Sequence, residues 1–265
     1  MEVLKFTLKG KFAFFKKPDL NSYIYFTYGN IHKVTLLGMF GAILGYKGYN
    51  SMSFEKKYAK QFKDRIKKSS QDYPEFYEKL EGLKVAIAPN KVSIDKKIQI
   101  FNNSVGYASR ENGCNLIVKE QWLENPSWDI YISIDNDESK KLCTAILNKE
   151  YVYIPYLGKN DHLADISDAQ LISDAVNLDN PKHIHSLYRK NDFNIVAKQC
   201  DDFDDDDAEN IEDEIIFKYE ERLPISLELQ TNKYEYEDFI FTNSLLEGNG
   251  DVEVYSVNDR NIVFI

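Results

Sequence analysis

Gly29-Asn30-Ile31-His32-Lys33-Val34-Thr35-Leu36-Leu37-Gly38-Met39-Phe40-Gly41-Ala42-Ile43-Leu44-Gly45 is apolar almost all round. That is the pattern of a helix buried on most sides rather than one lying on a surface. At about 100° per residue, Gly38, Gly41 and Gly45 fall on one narrow face and Leu37, Phe40 and Leu44 on another. Three interior glycines cost roughly 3 kcal/mol of helix propensity relative to alanine. A bare ridge is compensated by close approach of a strand, a partner backbone or a ligand. Plain core packing is the other reading of helical glycines.

Before this helix, Glu2 to Leu8 alternates, Val3, Lys5 and Thr7 against Leu4, Phe6 and Leu8, the period of a half-buried strand. Then follow Lys9-Gly10-Lys11-Phe12-Ala13-Phe14-Phe15-Lys16-Lys17-Pro18 and the aromatics Tyr23, Tyr25, Phe26 and Tyr28. Lysines interleaved with rings suit single-stranded RNA, because ammonium groups hold phosphates and rings stack on bases. Strands are rich in Phe and Tyr anyway, so Lys16 and Lys17 are better candidates than the rings.

After the helix, 53–81 is a basic-acidic helical segment in which Lys56, Lys60, Lys63 and Lys67 share a face. Leu83 to Ala88 and Ile98 to Phe101 are expected strands. The polar excursion Asn102 to Gly113 leads into a strand from Asn115 to Glu120, so this part is an extended hairpin or thumb, with Asn112-Gly113 able to turn it. Trp122 to Pro126 is expected as a turn and Trp128 to Ile134 as a strand. Asp135 to Glu138 caps a helix reaching about Leu147, and Tyr151 to Ile154 is expected as the next strand. This order suggests an α+β, ferredoxin-like domain of the RNA-recognition architecture (RRM) over 1–160, with the thumb around 98–118.

Residues 161–265 form an acidic linker and a small C-terminal β-rich region. Asp201 to Glu214 holds ten carboxylates and no basic residue, so it cannot build a core. A calcium loop starting at Asp202 fails, because Asp207 stands where the tight turn needs glycine and Asp213 stands at the last ligand position. Leu223 to Gln230, Tyr236 to Phe241, Val252 to Val257 and Asn261 to Ile265 are expected strands of one terminal sheet.

The 265-residue chain has a net charge of −10, unevenly placed: residues 1–120 carry +10 and residues 121–265 carry −20. Such asymmetry points to a polyanion-binding half with an acidic counterpart. The apolar run Val34 to Tyr46 is too short to span a bilayer, so no membrane partner is expected. Cys114, Cys143 and Cys200 have no metal-ligand spacing and suit a reducing compartment, the cytoplasm.

Phe6 to Pro18, Thr27-Tyr28 and Thr35 to Gly45 together resemble the opening of the Cas family five subunit of type I CRISPR Cascade, a RAMP protein. Glu120-Gln121-Trp122-Leu123-Glu124-Asn125-Pro126 is similar to that family's strand-turn after the thumb, and Pro155-Tyr156-Leu157-Gly158-Lys159-Asn160 to its second signature. Arg222-Leu223-Pro224 with Phe241-Thr242 resembles the terminal sheet of the type I-B branch. The resemblance implies a subunit that caps the 5′ handle of CRISPR RNA and joins the Cascade backbone filament to the large subunit. Target DNA is then met through the complex. It further implies that Lys16, Lys17 and Lys33 hold handle phosphates beside Tyr28, His32, Gly38 and Gly41. Lys97, Asn103 and Arg110 would contact the guide from the thumb.

No catalytic residue, metal or cofactor is expected. The rival is a metal-independent endoribonuclease that processes repeat RNA, which one branch of the family is. It would need a base near neutral pKa and a lysine against developing phosphate charge, and His32 with Lys33 and Tyr28 is the one local trio for it. His183 and His185 can share a strand face, but no third metal ligand is near. A third reading, a small-molecule enzyme of α+β type, has no Gly-rich phosphate loop, nucleophile elbow or paired metal ligands in the sequence to support it.

Overall fold

The computed structural model describes residues 1–19, 23–54, 73–105, 114–196, 216–249 and 252–265. The 56–68 lysine ridge, Arg110, the Asn112-Gly113 turn, Cys200 and the 201–214 acidic run lie outside the described residues.

The chain opens with β1 (Val3–Lys9) and a short β2 (Phe12–Ala13), then α1 (Lys33–Leu44) and α2 (Glu75–Leu80). Next come β3 (Val85–Pro89), β4 (Lys96–Val105), β5 (Cys114–Glu124), β6 (Ser127–Ser133) and α3 (Asp137–Asn148). After them run β7 (Asp165–Ile172), β8 (Val176–Leu178), β9 (Tyr188–Arg189) and β10 (Phe193–Ile195). The last strands are β11 (Lys218–Leu227), β12 (Tyr234–Thr242), β13 (Leu246–Gly248), β14 (Val254–Val257) and β15 (Arg260–Val263). The fold is mixed, sheet-rich with few helices. Its central sheet runs β3-β6-β1-β7 with every neighbour antiparallel.

Alternation in β1 sends Leu4, Phe6 and Leu8 into the main core, where Phe6 meets Phe40 of α1 edge-to-face at 6.3 Å. The sheet's other face takes Val3, Ala86, Ala88, Tyr131 and Ile172 and is covered by Val257 and Ile262. The four C-terminal strands expected in one sheet belong to two: β11-β12-β9 and β15-β14-β8. Leu223, Leu227 and Phe239 of the former share the main core with α1. Strands β11 and β12 therefore complete the core around α1.

Helix α1 starts at His32 and stops at Gly45, which has φ 78 and donates its N–H to Ala42 and Gly41 carbonyls. Gly45 is thus the cap, not an interior member of the ridge. Close approach occurs at Gly41, where a Cβ would lie 2.4 Å from Phe76 Cβ; at Gly38 the nearest atom would be 3.9 Å away. Gly38→Ala should therefore stabilise by about 0.5–1 kcal/mol through helix propensity. Gly41→Ala should destabilise by about 1–3 kcal/mol because α2 must move. Urea denaturation of the two variants checks the opposite signs.

Two expected elements differ. Tyr151 to Ile154 is not a strand, because the Val152 and Tyr153 N–H groups donate to Ile43 and Ala42 carbonyls at the end of α1. The orphan carbonyls of a helix end compete with strand pairing there, and the edge strand is β7 instead, past residue 160. Trp122 to Glu124 continues β5; only Asn125-Pro126 turns, with Asn125 at φ 45. Helix α3 begins as expected, with a capping box between Asn136 and Ser139 and with Asp137 and Glu138 in its first turn.

Candidate nucleic-acid interface

Strands β4 and β5 pair in register from Lys96↔Leu123 to Val105↔Cys114, a long hairpin with β2 alongside its base. Antiparallel alternation places Lys97, Gln99 and Phe101 on one face with Trp122, Glu120 and Val118 opposite them. Lys97 Nζ sits 3.7 Å from the centre of the Phe12 ring and 5.5 Å from that of Trp122. Glu120 Oε2 accepts from Trp122 Nε1 at 2.8 Å and from Lys159 Nζ at 2.7 Å. Lys159 also lies 5.0 Å from the Phe101 ring. It comes from the loop after Pro155, which the Phe14 N–H ties down through the Leu157 carbonyl at 3.0 Å.

The edge of β5 carries a second set. Tyr25 donates its N–H to Lys119, and Gln121 donates to Tyr25, so this segment runs along β5. Lys16 Nζ is 3.8 Å from the Tyr25 ring centre and Lys119 Nζ is 3.9 Å from that of Tyr23. Lys119 also donates to the Tyr23 hydroxyl at 2.7 Å and lowers its pKa, first through that hydrogen bond and then through its charge. Tyr23 is 73% exposed. Exposed rings beside ammonium groups provide what single-stranded nucleic acid uses: faces for bases and cations for phosphates.

The sequence-expected residues divide. Lys16 and Lys97 lie in this interface, and Asn103 lies further along β4 opposite Leu116. Lys17 is pinned to Glu221 at 2.7 Å, a carboxylate that also accepts from the Gly29 N–H at 2.7 Å and from the Tyr219 hydroxyl. Tyr28 is buried, and its hydroxyl donates to that of Tyr236 at 3.3 Å; burial raises its pKa. Lys33 donates to the Ile265 backbone oxygen at 3.1 Å, and burial lowers its pKa. Gly38 lines an apolar groove of about 220 Å³ with Met39, Ala42 and Pro155, while Gly41 lies under Phe76.

His32 caps α1. Its Nδ1 accepts the Thr35 N–H at 3.4 Å and its Nε2 is 2.9 Å from the Thr35 hydroxyl, so the neutral imidazole protonated on Nε2 satisfies both. Phe15, Tyr28 and Tyr234 stand edge-on around the ring. Burial pushes its pKa down to about 3. Lys119 and Lys159 were missed from the sequence because their places depend on strand register and on a distant loop. Among the described residues no three His, Cys, Asp or Glu side chains gather as a metal site, and no helix is long and apolar enough to cross a membrane.

No family model and no curated protein matches the sequence. In three dimensions the chain is similar to a chain of a solved CRISPR RNA-guided surveillance complex, at 12% identity and a TM-score of 0.48, covering 93% of this chain and 95% of that one. It is also similar to a CRISPR protein from Archaeoglobus fulgidus, at 10% identity and a TM-score of 0.48, covering 99% and 98%.

Proposed function

We propose that this protein is a non-catalytic RNA-binding subunit of a type I CRISPR surveillance complex. In this reading it caps the 5′ handle of CRISPR RNA and bridges the backbone filament to the large subunit. The observation that carries the reading is the row of lysine–ring pairs on the β4–β5 hairpin and its edge: Lys97 with Phe12, Lys119 with Tyr23 and Lys16 with Tyr25. The central sheet order, in which β1 lies between β6 and β7, is the one a ferredoxin-like RAMP domain would have. The type I-B assignment rests on the sequence resemblance of Arg222-Leu223-Pro224 and Phe241-Thr242.

A processing nuclease would need His32 to exchange protons near neutral pH. A buried imidazole that caps a helix and stays neutral down to about pH 3 is poorly suited to that work. Labelled repeat RNA incubated with the chain in EDTA, alone and with the other complex subunits, tests both readings. Intact RNA shifted strongly in the complex supports the capping subunit. A single cut by the lone chain that vanishes in His32→Ala overturns it.

The hairpin makes its own prediction. Lys97→Ala with Lys119→Ala should weaken RNA binding about tenfold at low salt and reduce the magnitude of the log–log salt slope by roughly 1.4, the loss of two single-strand phosphate contacts. Salt-series gel shifts with an unchanged slope would remove these lysines from the interface.

A further inference from the structure

A polar cleft is lined by the end of β9, the residues just after it, and the β11–β12 hairpin. Arg189, Lys190, Arg222, Tyr236 and Asp238 are among the residues lining its volume of about 300 Å³, the lower end of the range for small-molecule sites. Two of its cations are already neutralised: Arg189 Nε by Glu237 at 2.5 Å and Lys190 Nζ by Glu220 at 2.5 Å. Arg222 differs. It stands opposite Asp238 in the strand register, yet its guanidinium lies 5.4 Å from the centre of the Tyr236 ring. Among the described residues its side chain makes no hydrogen bond and no ion pair. Five donors in a fixed fork are therefore uncommitted beside an aromatic face.

The surroundings are held in place. Tyr236 accepts a hydrogen bond from the buried Tyr28 hydroxyl, and the Asp238 carbonyl accepts the Lys190 N–H at 2.8 Å. The Asp238 carboxylate is exposed and makes no ion pair among the described residues.

We propose that this cleft binds one nucleoside monophosphate unit. Arg222 swings off the ring to hold the phosphate through paired N–H donors. The base takes its place on Tyr236, and the ribose hydroxyls donate to Asp238. The unit is either a free nucleotide or the unpaired terminal nucleotide of an RNA strand. The assignment of ligand class rests on the RNA-binding reading; the cleft itself is separate from the β4–β5 hairpin.

The test is calorimetric titration of the full chain with AMP, dAMP and inorganic phosphate, repeated for Arg222→Ala, which removes an exposed side chain lying 5.4 Å from the Tyr236 ring centre. Saturable AMP binding that falls at least tenfold in the variant, with dAMP weaker than AMP, is the expected result. Equal AMP binding in the variant, no AMP binding in the parent, or phosphate binding as tightly as AMP would overturn the site. A single-stranded ribo-octamer that displaces AMP marks a strand terminus as the source; AMP binding that the octamer leaves untouched marks a free nucleotide. Since Lys97 and Lys119 report on the hairpin, an Arg222-dependent AMP signal stands even if their substitution leaves RNA binding unchanged.

Discussion

Gly158→Ala is expected to destabilise the protein by about 3 kcal/mol, the sum of a left-handed backbone penalty and an unrelieved clash. Gly158 has φ 87, and an added Cβ would sit 2.0 Å from the Phe14 carbonyl oxygen and 2.7 Å from its carbon. Neither segment can step back. The Phe14 N–H is bonded to the Leu157 carbonyl, Leu157 is fully buried, and the Leu157 N–H in turn donates to the His162 carbonyl at 2.7 Å. The loop carrying Lys159 is thereby zipped against the segment that leads into Lys16. Urea denaturation of Gly158→Ala checks the loss, with Gly82→Ala as the control because nothing lies within 4 Å of its Cβ position. If the two variants lose equal stability, the close approach is not what holds the loop. The damage should reach the candidate interface as well, since Lys159 reaches Glu120 and Phe101 from this loop.

Much of the framework was legible because it rests on local patterns. The alternation of β1 and β6, the capping signals of α3 and the all-round apolarity of α1 each specify an element without distant partners. Tyr151 to Ile154 has the composition of a strand, but its N–H groups are taken by the end of α1, a competition that no local window contains. Strand β7 escaped notice because it is an edge strand whose alternation breaks at Asp168, which has φ 53, near a register shift against β1 between Lys5 and Thr7. The site shows the same division. Lys16 and Lys97 could be picked out as cations near rings. Lys17 and Lys33 look identical to them in sequence, yet Glu221 and Ile265 from the far end of the chain occupy both. Local charge marks candidates; tertiary partners decide their surroundings, and Lys97 lies over the Phe12 ring with Glu124 only 4.0 Å away.

Asp129 shows how such a distant partner can be structural, and Asp129→Ala should cost about 2–3 kcal/mol. Its carboxylate is nearly buried at the centre of β6, where it accepts from Thr7 Oγ1 at 2.7 Å and Asn90 Nδ2 at 3.2 Å. Lys5 lies 3.2 Å away and Arg260 of β15 lies 3.4 Å away. Removing one partner of a buried ion pair typically costs about 3–5 kcal/mol. The lower figure reflects that Lys5 and Arg260 side chains keep 19% and 39% exposure and can turn to water. Burial alone would raise the Asp129 pKa, but the Thr7 and Asn90 hydrogen bonds and the Lys5 charge outweigh it, and the net shift is downward. A carboxylate whose folded pKa is depressed adds stability above its unfolded pKa of about 3.9, and that stability is lost as pH falls through the folded value. Urea midpoints followed from pH 6 down to pH 2 should therefore drop more steeply for the parent than for Asp129→Asn, which retains hydrogen bonding without the charge. Parallel curves would show that the acid response comes from other carboxylates. A steeper parent curve would mean that the Asp129 charge, with Lys5 of β1 beside it, helps to hold the central sheet together.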